Sequence, residues 1–222
     1  MQHTVRVWDL PTRIFHWLLA ASVIGLIITA NVGGNAMVWH FRLGYTVLTL
    51  LLFRIVWGLV GGRWSRFSSF LYSPGSILRY LRGKAHSHHL VGHNPLGALS
   101  VYGLLFFLLV QVGTGLFSDD EIAFAGPLTA LVSGDTVSNA TWYHKDIGAL
   151  VLIAMVCLHI VAILFYTLGK KERLVGPMLH GDKQLADPTV LPSRDNAASR
   201  LGALVILLAC AAAVRWLVQL GG

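Results

Sequence analysis

The fold of this chain is decided by the apolar stretch TWYHKDIGALVLIAMVCLHIVAILFY, residues 141–166, which two histidines interrupt fifteen residues apart. In a regular helix that rises about 1.5 Å and turns about 100° per residue, His144 and His159 lie about 22 Å apart along the axis and about 60° apart around it. Since a hydrocarbon core is about 30 Å thick, one imidazole is expected near each membrane surface. Ionisable side chains inside a membrane span are rare and indicate a function.

The composition as a whole is that of a membrane protein. Of the 222 residues 55% are hydrophobic and only 12% are charged, about half the charged share of an ordinary soluble domain. We expect an all-α integral membrane protein, an up-down four-helix bundle with an additional fifth C-terminal transmembrane helix, and no cleavable signal peptide. The spans are predicted at about residues 12–30, 40–60, 95–117, 142–168 and 201–220, with a short interfacial helix at 74–81.

The loops between the spans predict the orientation. The loops after the second and fourth spans are rich in Lys and Arg, whereas the loop at residues 118–141 carries four acidic residues and no Lys or Arg. Basic loops mark the cytoplasmic side, so we predict a cytoplasmic N-terminus and a periplasmic C-terminus. The same pattern accounts for the net charge of +7, and nucleic acid is therefore not expected as a partner.

With this orientation, four histidines form two pairs matched in depth. His40 and His144 are expected at the outer face, and His16 and His159 at the inner face. Each pair comes from two different helices, which is what bis-histidine ligation of a haem in a helical bundle requires. Zinc or copper fits less well, because three or four ligands would have to converge at one point. Taken singly, each histidine could instead be an ordinary interfacial side chain.

Three further positions support cofactor binding. Arg54 is expected to point into the bundle near the inner pair, where a haem propionate or a quinone headgroup would neutralise it, or where it bonds a helix carbonyl. Arg13, one turn before His16, is another propionate candidate. Gly44 lies one turn after His40 and Gly148 one turn after His144, so each leaves room for a porphyrin edge or for close helix packing.

Other histidines and both cysteines receive weaker assignments. His93 competes with His16 as a ligand, contacts a propionate or lines a quinone site, for which Arg54 and Gln111 are also candidates. His86, His88 and His89 are interpreted as a solvated loop cluster rather than a metal site. Cys157 and Cys210 lie in apolar runs without a CxxC or CxxCH motif, so neither a disulfide nor covalent haem attachment is expected.

These residues together resemble the prokaryotic cytochrome b561 family, which includes cytochrome b subunits of nickel–iron hydrogenases. The resemblance covers about residues 5–177 and implies a four-helix core with two haem b groups whose axial ligands are the four paired histidines. The fifth span lies outside that pattern. The matching segments are VWDLPTR (7–13) with FHW (15–17), WH (39–40) with RLGY (42–45), FR (53–54) with WG (57–58), GHNPLG (92–97), QVGTGLF (111–117), and His144 with LH (158–159) and FY (165–166).

The resemblance implies a di-haem cytochrome in a bacterial inner membrane, divided into a core at 1–177 and a cytoplasmic linker plus fifth span at 178–222. Electrons would pass between the quinone pool, ubiquinone or menaquinone, and a periplasmic partner, for which a c-type cytochrome is the first expectation. The acidic residues Asp119, Asp120 and Glu121 would dock it, unless that loop is merely solvated. A second copy of the chain is left open as a partner.

Two other functions remain open. In the first, the chain is itself a quinone-linked oxidoreductase and not only an electron carrier. A superoxide:ubiquinone oxidoreductase would need a cationic pocket beside the outer haem, for which Arg42 and Lys145 are candidates. A membrane anchor subunit of a hydrogenase or dehydrogenase complex would instead bind a large periplasmic partner.

Overall fold

Five long apolar helices form where the hydrophobic stretches predict them. A computed structural model describes residues 3–84 and 91–221 of the chain. Each of the five helices is long and apolar enough to cross a membrane, which confirms the predicted fold class. They are α1 (Leu10–Val32), α2 (Met37–Val60), α4 (Pro95–Gly115), a composite fourth helix built from α5 (Gly134–Trp142) and α6 (Ala149–Leu164), and α8 (Ala197–Gln219).

The composite fourth helix is longer and less regular than predicted. It begins at Gly134, where the Ser133 side chain accepts a hydrogen bond from the Thr136 backbone N–H at 3.4 Å, so the expected loop at 118–141 ends eight residues early. Tyr143–Gly148 and Phe165–Gly169 are π-helical. The prediction of a uniform α-helix was wrong there, because hydrophobic periodicity does not reveal π turns, which often occur at functional sites.

The remaining elements lie outside the long helices. The predicted helix at 74–81 is present as α3 (Pro74–Leu81), with Pro74 in its first turn and Ser73 as its N-cap. Its position at the membrane surface stays a prediction. The N-terminal segment and the loop after the fourth helix contain α7 (Val175–His180) and two antiparallel strands, β1 (His3–Arg6) and β2 (Asp182–Leu185). The strands were missed because segments of four residues, three of them polar in β2, carry no clear alternation.

The chain divides into two compact units, each assembled from three segments. The first comprises Met1–His16, Arg54–Gly103 and Leu158–Ile206, and the second comprises Trp17–Phe53, Leu104–Cys157 and Leu207–Gly222. The predicted boundary at 177/178 falls inside the third segment of the first unit. That boundary concerned the extent of a haem-binding core and stays a prediction.

The second unit has an apolar core to which all five long helices contribute. Val47 and Leu51 of α2 are fully buried in this core. Apolar side chains suit these positions, because a polar group between packed helices would need a hydrogen-bond partner. Other leucines of this unit, such as Leu150 and Leu208, are largely exposed, as lipid-facing positions would be. The other buried members are Val23, Leu48, Leu108, Val112, Leu116, Leu128, Leu152 and Val214.

The first unit has a different core, in which residues of both strands pack with aromatic side chains. Val5, Val7, Trp8, Trp64, Val91 and Leu185 form its buried cluster. Arg6 is paired with Asp182 at 2.6 Å and with Asp195 at 2.8 Å, and Ser193 donates a hydrogen bond to the Val7 carbonyl at 2.7 Å. Residues 178–196, predicted as a linker, are therefore packed against the N-terminal segment.

A buried carboxylate organises the first unit. Asp9 has no exposed surface and accepts four hydrogen bonds: from the Thr12 N–H at 2.9 Å, the Trp57 indole at 3.2 Å, the Gly62 N–H at 3.2 Å and the Ser65 hydroxyl at 2.7 Å. It thereby caps α1 and holds the turn that follows α2. Asp9 is also a charge partner of the buried Arg54, so neither ion is buried uncompensated.

We predict that Asp9→Asn destabilises the protein by about 3–5 kcal/mol, because it removes the charge opposite a buried arginine and turns one acceptor into a donor. The midpoint of thermal unfolding of the purified protein, followed by circular dichroism, measures this loss. Asp135→Asn, a change at an exposed carboxylate in the first turn of α5, is the control. Equal midpoints for the two variants would contradict the role given to Asp9.

Candidate functional site

The second unit brings His40 and His144 together. Their ring centroids lie 6.2 Å apart and their planes are nearly perpendicular. Nδ1 of His40 donates a hydrogen bond to the Leu26 carbonyl at 3.1 Å, and Nδ1 of His144 donates to the Gln111 carbonyl at 2.8 Å. Because a carbonyl only accepts, Nδ1 carries the proton in both rings. Nε2 is then the nitrogen that remains for coordination, as in histidines that bind metals.

The separation of the rings fits one metal ion held between two imidazoles. Bonds between a metal and an imidazole nitrogen are about 2 Å long, so two nitrogens on opposite sides of one ion lie about 4 Å apart. Adding about 1 Å from each nitrogen to its ring centroid gives about 6 Å, close to the separation in the structure. The separation therefore leaves room for one metal ion, such as a haem iron, that His40 and His144 would hold together.

Small and amide side chains shape the surroundings of His144. A Cβ atom added to Gly115 would lie 2.8 Å from Cε1 of His144, so only glycine lets α4 approach the ring this closely. Gln111 donates from Nε2 to the His144 carbonyl at 2.9 Å, and a Cβ atom at Gly148 would collide with that amide. Gly148 thus serves close helix packing, one of its two expected roles.

Gly44 differs from these glycines. A Cβ atom added to it would meet no other atom of the described residues within 4 Å. This open space agrees with one expected role of Gly44, which is to leave room for a porphyrin edge beside His40 and His144. It does not agree with the other expected role, close helix packing.

The first unit contains the other predicted pair. His16 and His159 are close enough to interact electrostatically. The Ser100 hydroxyl lies 3.4 Å from Nδ1 of His159. His16 and His159 thus lie in the first unit, and His40 and His144 in the second. The depth of each pair in a membrane stays a prediction.

A third histidine, His93, lies beside the inner pair. Its ring lies between the rings of Trp8 and Phe70, with centroid separations of 4.7 and 4.5 Å. Burial lowers the pKa of His93 to about 3, and positive charge on Arg54 and on the nearby histidines acts in the same direction. His93 is therefore neutral at physiological pH. Its buried Nδ1 atom has no hydrogen-bond partner among the described residues.

Arg54 of α2 is the second unusual buried group of this unit. Only 3% of its surface is exposed, its guanidinium lies 4.7 Å from the Phe67 ring centroid, and Nη1 is buried without a hydrogen-bond partner within residues 3–84 and 91–221. The alternative role of Arg54, a hydrogen bond to a helix carbonyl, is therefore not supported by the position of Nη1. A buried donor of a charged group without an acceptor is rare, and it points to an anion that completes the site.

Arg13 has a partner within the first unit. Its Nη1 donates a hydrogen bond to the Leu179 carbonyl at 2.6 Å, near the C-terminal end of α7. One nitrogen of the guanidinium is therefore engaged by a helix terminus, where a cation is favourable. A contact of Arg13 with a propionate stays a prediction.

The second unit also has an acidic cavity of about 660 Å³. Asp119, Glu121 and Asp146 line it together with Lys145. Asp120 lies nearby, and hydrogen bonds from the backbone N–H groups of residues 122–124 lower the pKa of its carboxyl. Arg42 lies instead over the Trp39 ring at 4.9 Å. The surroundings of Lys145 are acidic, which does not favour the cationic pocket considered for superoxide.

Across the part of the chain that the structure describes, no group of three or more His, Cys, Asp or Glu residues could hold a metal ion. His86, His88 and His89 lie outside the described residues. Cys157 and Cys210 are free, as predicted.

Comparison with known proteins decides the family. The family model described as prokaryotic cytochrome b561 matches residues 7–181. The chain belongs to this family. No solved structure gave a significant match to this cytochrome.

Curated relatives of this cytochrome carry the name "probable Ni/Fe-hydrogenase B-type cytochrome subunit". One from Bradyrhizobium diazoefficiens is 27% identical, covering 83% of this chain and 87% of the relative. One from Azotobacter vinelandii is 25% identical, covering 84% and 91%. One from Escherichia coli K12 is 24% identical, covering 79% and 88%. The chain is thus a membrane cytochrome of the b type, a class that binds haem b and transfers electrons.

Sequence reasoning missed the groups that orient the histidines. The two acceptors for the outer pair are backbone carbonyls, of Leu26 and Gln111, and any residue type supplies a carbonyl. Gln111 carried one usable signal, because an amide within an apolar span requires a hydrogen-bond partner. It was considered for a quinone site, whereas the structure shows its side chain bonded to the His144 backbone.

Gly115→Ala tests the geometry of the outer pair. The added methyl group would displace the His144 ring, so we predict loss or spectral perturbation of bound haem in purified protein, measured as haem per chain and in the reduced-minus-oxidised spectrum. Gly113→Ala is the matched control in the same helix, since its Cβ atom would meet nothing within 4 Å among the described residues. The control should keep its haem and gain up to about 1 kcal/mol of helix stability. Equal spectra for both variants would contradict the packing of Gly115 against His144.

Proposed function

We propose that this cytochrome holds two haem b groups and carries electrons between the quinone pool and a periplasmic redox protein. The observation that carries the proposal is the pair of imidazoles 6.2 Å apart whose Nδ1 atoms are both held by carbonyls. Bound haem supplies a one-electron redox centre. The protein supplies the ligands, a low dielectric constant and the groups that set the reduction potential.

At the outer site, His40 and His144 would be the axial ligands. The carbonyl acceptors of Leu26 and Gln111 fix each ring and increase the basicity of Nε2. Gly44 would leave space for the edge of the macrocycle. These features make the imidazole orientation a property of the folded chain, so that little reorganisation is needed when an electron arrives.

At the inner site, His16 and His159 would be the axial ligands, and Arg54 would hold a propionate. The unpartnered Nη1 of Arg54 provides the donor, and its positive charge favours an anion. His93 would remain neutral and donate a second hydrogen bond from a buried ring nitrogen. A neutral donor beside a cation adds a hydrogen bond without further charge repulsion.

The direction of insertion follows from the charged loops. The basic loops after the second and fourth spans would face the cytoplasm, so that the N-terminus is cytoplasmic, the C-terminus is periplasmic and the membrane is the bacterial inner membrane. His40 and His144 would then serve a periplasmic partner, and His16 and His159 would serve ubiquinone or menaquinone at the cytoplasmic side.

Histidine replacements test the two-haem assignment. We predict two haem b per wild-type chain, and one in each of His40→Ala, His144→Ala, His16→Ala and His159→Ala. The first two variants should lose the same spectral component, and the last two the other, in low-temperature reduced-minus-oxidised spectra. His180→Ala, at the end of α7, should keep both. One haem in the wild-type chain, or a different grouping of the variants, would refute the assignment.

The acidic cavity would be the docking site for the periplasmic partner, a basic c-type cytochrome. Asp119, Glu121 and Asp146 present carboxylates around one concave surface of the same unit as His40 and His144. Complementary charge mainly accelerates association and makes its rate depend on ionic strength.

Asp119→Asn, Glu121→Gln and Asp146→Asn combined should slow electron exchange with a basic soluble c-type cytochrome about tenfold or more at low salt. Stopped-flow absorbance of the b haem measures the rate. The dependence of the rate on ionic strength should become flatter in this variant. Glu172→Gln combined with Asp187→Asn, two partly exposed acidic residues of the other unit, is the control. An unchanged rate and salt dependence in the triple variant would exclude this docking surface.

A second candidate is a membrane subunit of a hydrogenase complex. The names of the relatives favour it, since they describe hydrogenase subunits. The same two haems would then receive electrons from a large periplasmic partner. Affinity purification of the chain from its native membrane distinguishes the two: a stoichiometric hydrogenase supports the second candidate. A superoxide oxidase is not favoured, because carboxylates surround Lys145.

A further inference from the structure

A second cavity lies directly after the end of α2 in the first unit. Its volume is about 300 Å³, and Arg63, Trp64, Arg66, Ser68 and Ser69 line it. Since α2 ends at Val60, the cavity lies at the boundary between the hydrocarbon core and water if α2 spans the membrane. No function considered so far uses these residues.

The backbone around this cavity is held by internal contacts. The N–H groups of Ser65 and Arg66 bond the Gly62 carbonyl at 3.0 and 3.2 Å, and the Gly62 N–H in turn bonds Asp9. Phe67, which follows, packs so closely on Gly58 that any side chain there would collide with its ring. The turn carrying both arginines is therefore anchored to the end of α2.

The charges at the cavity are all of one sign. Residues 61–94 contain no Asp or Glu. No carboxylate of the described residues lies within ion-pair distance of Arg63 or Arg66. Two guanidinium groups and two serine hydroxyls thus line one small concavity without an anion from the chain. Guanidinium forks and hydroxyl donors are the groups that bind phosphate oxygens.

The segment that follows the cavity suits contact with lipid. Leu71, Leu78 and Leu81 are 75%, 48% and 60% exposed, and the last two belong to α3. A short helix with exposed leucines next to basic residues is typical of a segment lying at the membrane surface. A phosphate in the cavity would therefore be at the depth of lipid headgroups.

We propose that this cavity binds the phosphate of an anionic phospholipid, with Arg63 and Arg66 as the charged ligands and Ser68 as a further hydrogen-bonding group. The Ser69 hydroxyl already donates to the Arg66 carbonyl at 2.7 Å and helps to fix the turn. A direct hydrogen bond contributes about 1 kcal/mol net, and one between a charged donor and a phosphate oxygen is stronger than a neutral one. The proposal is independent of haem content, of the number of haems and of the electron-transfer partner.

Native mass spectrometry of the full-length, haem-loaded protein in detergent tests the proposal, with phosphatidylglycerol and phosphatidylcholine as probes. Replacing both arginines, Arg63→Gln with Arg66→Gln, should weaken phosphatidylglycerol binding about thirtyfold. The matched control, Arg79→Gln with Arg82→Gln, removes the same charge from exposed positions outside the cavity and should change binding by less than about threefold. Phosphatidylcholine binding should be weak in all three proteins.

Three results would overturn the proposal. Equal losses in the two double variants would indicate diffuse attraction to a basic surface. Undiminished phosphatidylglycerol binding in the first variant would exclude the cavity. Displacement of the lipid by inorganic phosphate, with the same dependence on Arg63 and Arg66, would assign the site to a free phosphate ion instead. Should the double variant fold poorly, as judged by helicity and haem absorbance, each single variant should lose about fivefold.

Discussion

The constraint on which the proposed haem sites depend is that an imidazole N–H in an apolar interior must have an acceptor. In His40 and His144 that requirement is met by carbonyls of other parts of the chain, Leu26 and Gln111. Meeting it at Nδ1 determines the tautomer, limits the rotation of each ring and directs Nε2 to the other side. A membrane helix has no water to provide an acceptor, so the surrounding helices both orient the ligands and satisfy their donors.

In the first unit, the buried group that needs a partner is a charged one, Arg54. A buried arginine needs an anion nearby, and Asp9 provides one through its field while its oxygens accept hydrogen bonds from other groups. Within residues 3–84 and 91–221, Nη1 of Arg54 and Nδ1 of His93 are buried without a hydrogen-bond partner. Both atoms are therefore candidates for contact with a bound ligand. In this charge pair, Asp9 contributes to the stability of the unit, and Arg54 is the candidate for binding a ligand.

The structure agrees with the sequence where the signal is local and strong, and departs from it where the determining contact is distant. Apolar runs of about twenty residues predicted all five long helices, and the short apolar pattern at 74–81 predicted α3. The strands β1 and β2 pair residues almost 180 positions apart, and nothing in either tetrapeptide indicates its partner. The π turn at Tyr143–Gly148 was missed because it is a change in hydrogen bonding that leaves the hydrophobic pattern intact.

The sequence by itself determined the class of the protein, the number of long helices and the pairing of four histidines, because membrane thickness and the charge of the loops translate position along the chain directly into depth. Only the tertiary structure decided which carbonyls hold the imidazoles of His40 and His144, which glycine packs against the His144 ring and which arginine, among the described residues, has a buried nitrogen without a partner. These are contacts between residues far apart in the chain, and their partners are often backbone groups that every residue possesses. Depth is a one-dimensional property that a sequence can encode, whereas the orientation of a side chain depends on neighbours that only folding brings together.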